Sequence, residues 1–245
     1  MPKKQYPSDP TEHMIHMRHR SRRRRVDGAY VYESKNPVYR FFAGVLRAVV
    51  ALLLPVLAKV WCGYRIRGRE HARQVRGRGV VVVANHVHPL DCITICGCLF
   101  RLRRTRFVTL TENLDIPVLG PLIRAYGGLP IAETASGTRR FVETVDGLLR
   151  GGAPVLFFPE VALWSGYHGV RPFQKGAFTF AVRGGVPVLP VFLRFEPRRF
   201  WRGERLVFEV GPPLEPDGMD AKQLCSRANA YFAAAAAAAY NTEQA

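Results

Sequence analysis

Acidic residues are scarce in this chain: among 245 residues, 19 Asp and Glu stand against 36 Lys and Arg, a formal net charge of +17. That imbalance excludes an acidic solvating polypeptide and implies anionic surroundings, either nucleic acid or acidic lipid. Cysteine is sparse as well. The five cysteines (Cys62, Cys92, Cys96, Cys98, Cys225) are odd in number and three lie close together, which argues against a disulfide framework. With no convincing signal-peptide pattern ahead of them, they point to a reducing, cytoplasmic setting. No internal repeat is evident, which argues against a solenoid. With 48% apolar residues, the chain can bury one sizeable core, as one domain with appendages.

The composition changes along the chain in three steps. Residues 1–36 read as a basic disordered arm centred on Arg18-His-Arg-Ser-Arg-Arg-Arg-Arg25, with too few apolar residues to pack. Residues 37–63 read as an apolar, membrane-associating helical segment, bent or broken near Pro55. Its longest uncharged run, Ala48–Ala58, is eleven residues, short for a bilayer span. Arg40 and Arg47 fall a heptad apart, so an interfacial or re-entrant segment with snorkelling arginines is expected. An ordinary core helix is the alternative.

Residues 64–245 alternate strand and helix patterns and end in an Ala-rich helix containing Ala233–Ala239. Strands are predicted at 64–68, 79–84, 106–110, 154–158, 187–193 and 205–210; helices at 89–100, 116–126, 136–149, 175–183 and 219–240. The strands are continuously apolar, which argues for burial on both faces. The expected fold is a single α/β domain with a mixed, largely parallel central sheet flanked by helices, preceded by the apolar segment.

The chemistry concentrates after the apolar run Val80–Ala84, in Asn85-His-Val-His-Pro-Leu-Asp91. A histidine can take a proton from an oxygen nucleophile near neutral pH, and a carboxylate can fix its tautomer. On one regular helix, five residues advance about 500°, so His86 and Asp91 meet only if His86 lies in a loop and Asp91 in the first turn of the following helix. Pro89 supports that helix start. A second strand, Val155–Phe158, ends in Pro159-Glu160, which puts Glu160 at the same sheet edge as His86. Then Arg171-Pro-Phe-Gln-Lys-Gly-Ala-Phe178 offers two cations before a helix, where Lys175 and free backbone N–H groups could hold a phosphate. Structural readings stand beside these: Asp91 and Glu160 as capping groups, Lys175 as a surface charge.

Taken in order, these segments resemble the lysophospholipid acyltransferase family, over about residues 40–213. The anchor is the family's Asn-His-x4-Asp motif at Asn85, His86 and Asp91, followed by Phe-Pro-Glu, Lys-Gly-Ala-Phe and Val-Pro-Val-Leu-Pro. The resemblance implies that His86 deprotonates an acceptor hydroxyl, that Asp91 orients it, and that the acyl group comes from acyl-CoA or acyl carrier protein. No metal or other cofactor is implied. The implied acceptor is a lysophospholipid, 1-acyl-glycerol-3-phosphate first, and the implied setting is the cytoplasmic face of the cell membrane with anionic lipids as partners. Substrate-binding positions carried over are Asn85, Pro89, Gly128, Ile131, Glu160 and Val161.

Two departures stand out. The family's Gly-x-x-Phe-Ile-x-Arg is here Gly127-Gly-Leu-Pro-Ile-Ala-Glu133, with an acid in place of arginine. Its Pro-Glu-Gly-Thr-Arg is Pro159-Glu-Val-Ala-Leu163, again without arginine. The run through Trp164 resembles a divergent bacterial branch in which Pro-Glu-x-x-Met/Leu-Trp replaces the usual motif, and with the two arginines missing Arg171 and Lys175 are expected to take over phosphate binding. An acceptor other than a phosphatidate precursor, another lysolipid or a glycolipid, is the alternative. A metal-dependent hydrolase built on His86, His88, Asp91 and Cys92 is disfavoured by its thin ligand set. A nucleic-acid-binding role for the arginine run is disfavoured by the lack of a recognition-fold signature. The aromatic-basic Phe200-Trp-Arg202 fits a membrane surface.

Overall fold

Four consecutive valines followed by an alanine form the centre of the protein. β-Branched side chains suit a pleated strand, and all five residues of β2 (Val80–Ala84) are fully buried. Side chains alternate across a strand, so Val80, Val82 and Ala84 enter one core cluster and Val81 and Val83 the other. Each buried valine contributes about 1.5–3 kcal/mol, so this short strand is anchored from both faces.

The computed structural model describes residues 6–12, 25–61, 63–100, 105–198 and 203–240. Around β2 lie β1 (Arg65–Arg67), β3 (Arg106–Thr109), β4 (Gly128–Pro130), β5 (Pro154–Phe157), β6 (Val188–Pro197) and β7 (Glu204–Val210). The order is β1-β7-β6-β2-β5-β3-β4, and every neighbouring pair is parallel except β6 and β7. The expected mixed, largely parallel sheet is therefore present. The chain leaves β2 for β3 and returns later to lay β5 between them, so loops diverge at the carboxyl end of β2, where ligands of open α/β sheets bind.

Helices cover both faces. On one side, α1 (Pro37–Trp61) and α3 (Asp91–Thr94), continued by the wider π-helical turns Ile95–Phe100, pack through Ala58, Ile95, Cys96 and Leu99. On the other, α5 (Ala135–Arg150), α6 (Gly176–Gly184) and α7 (Ala221–Tyr240) pack through Phe141, Val145, Phe178, Leu224 and Phe232. Two short α-helices, α2 (Arg69–Gln74) and α4 (Leu119–Tyr126), and a 3₁₀ helix at Thr111–Asp115 complete the set among the described residues. α5 starts where Thr134 accepts the Gly137 N–H at 3.1 Å. The helix expected from residue 116 begins three residues later: Pro117 forces Ile116 into an extended conformation (φ −67°, ψ 121°).

The apolar segment and the arm both differ from expectation. Pro55 lies inside one 25-residue helix rather than breaking it. At 1.5 Å per residue, α1 is roughly 37 Å long. The 24 residues Pro37–Val60, whose most apolar 18-residue window has a mean hydropathy of 2.3, are long and apolar enough to cross a membrane by length and composition. The exposed apolar face of α1 carries Phe41, Phe42, Val45, Val49, Leu52 and Val56, which agrees with the expected peripheral or monotopic association of this segment with a membrane. Within the arm, Tyr6 stacks on Trp164 with ring centroids 5.4 Å apart, and Pro10 and Glu12 carbonyls accept from Arg171 and Trp164 at 2.8 Å each. Val26 is fully buried, and Glu33 pairs with Arg106 at 2.6 Å. These stretches are tied to the domain rather than disordered, because their aromatic and carbonyl groups find specific partners. The arginine run at 18–24 and Phe200-Trp-Arg202 lie outside the described residues.

Candidate active site

Strand register determines what faces what. β2 and β5 run parallel with Val83 opposite Phe157, so counting three residues past each puts His86 opposite Glu160. The contact forms: the His86 backbone N–H donates to Glu160 Oε2 at 3.0 Å. Asn85, between strand and histidine, is fully buried and clamps β2 to β6. Its amide donates to the Leu193 carbonyl at 2.8 Å and its carbonyl accepts the Leu193 N–H at 2.7 Å. The substrate-binding role expected of Asn85 is corrected: both ends of its side chain are spent on the sheet.

His86 and Asp91 meet as the spacing required, with His86 in the loop and Asp91 as the first residue of α3. Nδ1 of His86 lies 3.1 Å from Asp91 Oδ2, which also accepts the N–H groups of Val87 and His88 at 2.8 Å each. An oxygen that already accepts two N–H bonds accepts the third from Nδ1–H, so Nε2 of the neutral ring carries the lone pair. Asp91 is fully buried, and its Oδ1 has no hydrogen-bond partner among the described residues. The imidazole stacks on Phe158, with ring centroids 4.1 Å apart, which fixes its plane.

His86 opens into a cavity of about 960 Å³. Its walls are mostly apolar, with Leu90, Ile93, Phe107, Phe141, Phe157 and Phe180 among them. Of the residues expected to bind substrate, Pro89, Ile131 and Val161 line this cavity. Gly128 lies instead beside a second, smaller cleft, and Lys175 is an exposed residue preceding α6. Val161 has φ +69°, a left-handed conformation that a β-branched residue rarely adopts. It stands where the family motif has glycine.

Glu160 and Arg171 form a buried support beneath this loop. Arg171 donates to Glu160 Oε2 at 2.7 Å, to the Ala162 carbonyl and to Pro10, and its guanidinium lies 4.6 Å from the Trp164 ring centroid. The Arg171 N–H also donates to Glu160 Oε1 at 2.9 Å. Burial raises the Glu160 carboxyl above its ordinary value, against the opposing pull of Arg171 and the two backbone donors. Arg171, only 3% exposed and absent from the cavity wall, does not serve as the phosphate ligand expected of it. Its charge is needed to keep Glu160 company.

Nδ1 of His86 faces Asp91 and Nδ1 of His88 accepts the Leu90 N–H at 3.2 Å, and among the described residues no group of three His, Cys, Asp or Glu is placed to hold a metal ion. Cys92 lines the cavity, but burial, with the Asp91 charge beside it, pushes its thiol up to about 12. The far walls of the cavity, Phe141 on α5 and Phe180 on α6, were not foreseen. Their signal was present as apolar positions of the predicted helices, without a way to tell wall from core. Phe158 was foreseen only as a strand end.

Comparison with known proteins gives a consistent answer. Residues 63–194 match the family model described as Acyltransferase. A 1-acyl-sn-glycerol-3-phosphate acyltransferase of Chlamydomonas reinhardtii is 37% identical over 123 residues, covering 46% of this chain and 33% of that protein. One from Neisseria gonorrhoeae is 33% identical over 156 residues, covering 61% of this chain and 56% of that one. A lyso-ornithine lipid O-acyltransferase of Rhodobacter capsulatus is 34% identical, covering 51% and 45%. This chain thus spans about a third to a half of the length of these curated relatives. The crystal structure of the 1-acyl-sn-glycerophosphate acyltransferase PlsC from Thermotoga maritima shares the fold, with a TM-score of 0.60 at 22% identity, covering 81% of this chain and 86% of that one.

Proposed function

The chain belongs to the acyltransferase family, and from that premise we propose that it moves a fatty acyl group from acyl-CoA or acyl carrier protein to the hydroxyl of a lysophospholipid. The first acceptor in this reading is 1-acyl-glycerol-3-phosphate, giving phosphatidic acid. The observation that carries the proposal is the His86–Asp91 pair, 3.1 Å apart, at an apolar cavity large enough for an acyl chain. His86 Nε2 takes the proton of the acceptor hydroxyl as its oxygen attacks the thioester carbonyl. The tetrahedral intermediate then expels the donor thiolate, which recovers that proton from the imidazolium. Asp91 holds the ring and stabilises its charge while it carries the proton. The raised Cys92 thiol argues against an acyl-cysteine intermediate.

The working location is the cytoplasmic face of a membrane, with peripheral or monotopic attachment through α1 and anionic lipids as partners. Support comes from the exposed apolar face of α1 and from exposed Leu90, Leu119, Ile131 and Val161, which also line the cavity. The Pro159-Glu-Val-Ala-Leu-Trp164 run supports a place in a divergent bacterial branch.

A second acceptor reading has its own observation. Among the described residues no Lys or Arg lines the cavity, whereas Glu112 and Asp115 do. This favours an acceptor without a phosphomonoester, another lysolipid or a glycolipid; the R. capsulatus relative is named for such a lipid. Incubating the protein with labelled acyl-CoA and a mixed lysolipid pool, then identifying products by mass spectrometry, tests both. Labelled phosphatidic acid supports the first reading and another labelled lipid the second. No His86-dependent product from acyl-CoA or acyl carrier protein would overturn both.

A further inference from the structure

A second cleft, of about 200 Å³, lies at the β4 edge of the sheet, bounded by the first half of α1, the Tyr32–Ser34 stretch, β3 and the turn into β4. It is smaller than the ~300–1,000 Å³ of sites that bury a whole drug-sized ligand, which suits a head group rather than an entire lipid. Arg40, Arg47, Arg106 and Arg124 line it, against one carboxylate, Glu33. Glu33 is already engaged with Arg106, through Nε at 2.8 Å and the terminal nitrogen at 2.6 Å. Arg40 has no ion-pair partner among the described residues, and the hydroxyl of Tyr39, another lining residue, is buried without a hydrogen-bond partner among them. Arg124 donates to the Val31 carbonyl at 3.0 Å and lies over the Tyr30 ring, so the cleft presents positive charge in excess of its one carboxylate, with Arg40 and the Tyr39 hydroxyl as the donors at hand.

Its position on α1 gives the ligand class. Arg40, Ala43, Gly44, Arg47 and Ala48 recur at helical spacing along one side of α1, while Phe41, Phe42, Val45, Val49 and Leu52 occupy the exposed apolar side. A helix lying with that apolar side in acyl chains holds its flanking arginines at head-group depth. Small residues between the arginines keep the cleft open: a Cβ built on Gly44 meets nothing within 4 Å. We infer that this cleft is a binding site for the phosphate-bearing head group of an anionic membrane lipid, separate from the cavity at His86. Guanidinium groups pair with phosphate oxygens in a planar, bidentate manner. That distinguishes a built phosphate site from diffuse attraction between a basic protein and an acidic surface.

The test uses the full chain and three vesicle types: phosphatidylcholine alone, phosphatidylcholine with phosphatidylglycerol, and phosphatidylcholine with oleate matched in surface potential. Phosphatidylglycerol vesicles are expected to bind more tightly than oleate vesicles. Arg40→Gln with Arg47→Gln should weaken binding to phosphatidylglycerol vesicles by roughly 30-fold, five- to sixfold for each arginine, and should affect oleate vesicles much less. Gly44→Leu fills the cleft without changing charge and should remove the preference for phosphatidylglycerol. Its thermal unfolding, held or raised because leucine is the better helix former, confirms a folded variant. Equal losses on both anionic vesicles, or an unchanged preference in folded Gly44→Leu, would overturn the inference. So would saturable binding of inorganic phosphate that is abolished by Gly44→Leu while vesicle preference persists, since the cleft would then serve free phosphate. These readouts need no acyl transfer, so they stand or fall apart from the proposed reaction.

Discussion

The backbone N–H of His86 donates to the side chain of Glu160 at 3.0 Å, across two parallel strands whose register brings them level. The proposed base is thus held at two points by different means. Glu160 fixes its main chain from the loop after β5, and Asp91 fixes its ring from α3. Phe158, two residues before Glu160, covers the ring face.

Replacing His86 by alanine should lower acyl transfer by about 10²–10⁴-fold, the usual contribution of a positioned general base. Thermal unfolding should shift little, since the side chain is partly exposed and bonds only Asp91. Turnover at the wild-type rate in purified variant would remove His86 from the reaction.

Asp91→Asn separates charge from shape. The asparagine carbonyl can accept from the same three donors that now meet at Oδ2, while its NH2 falls where Oδ1 is buried without a partner. An unsatisfied buried donor costs about 1–3 kcal/mol, so a folded but less stable protein is expected. Transfer should fall by an amount comparable to the His86 variant, measured as kcat at saturating donor.

Arg171→Met should destabilise the protein by about 3–5 kcal/mol at neutral pH, because it leaves a buried carboxylate without its cation. Burial already raises Glu160, and removing the guanidinium takes away the main opposing pull. A folded-state value raised above the unfolded one gives stability that is present at low pH and lost as pH rises through the folded value. Urea unfolding at pH 5 and pH 8 should therefore show the smaller loss at pH 5. A pure rise in acceptor KM with unchanged unfolding would restore Arg171 as a phosphate ligand.

Val161→Gly should raise the melting temperature. The left-handed conformation at φ +69° costs of order 1–3 kcal/mol for such a residue, and glycine adopts it freely at an entropic cost of about 0.5–1 kcal/mol. A net gain near 1 kcal/mol is expected by chemical denaturation. A lower melting temperature would show that side-chain contacts at the cavity outweigh the backbone strain.

Cys92 should resist alkylation. With its thiol pushed up to about 12, about one molecule in 10⁴ carries the reactive thiolate at pH 8. Peptide mass spectrometry after a short iodoacetamide treatment should find residue 92 unmodified in the native protein and modified after denaturation. Rapid native modification would reopen a thiol route for transfer.

Periodicity and apolar runs sufficed for six strands, because continuously apolar segments such as Val80–Ala84 leave few alternatives in a chain of this length. β4 escaped: three residues, one of them proline, carry no period. The His86–Asp91 meeting was legible because helix geometry permits only one arrangement at that spacing. Arg171 was misread because sequence shows a cation near a helix start but not the carboxylate eleven positions earlier that folds against it. Asn85 was misread for the same reason, since its partner Leu193 is 108 residues away. The contacts of Tyr6 and Pro10 lie beyond any local pattern, because carbonyl acceptors have no composition.

Gly97, in the π-helical turns after α3, lies so close to α1 that a Cβ there would come within 2.9 Å of the Leu54 side chain. The same helix that shows its apolar side outward therefore forms one wall of the core, against the segment that starts at Asp91. Cutting α1 away to make a tractable soluble fragment would uncover Ile95, Leu99 and Tyr126 rather than simply release an anchor. Any resurfaced version must therefore replace the wall as well as the outward apolar face.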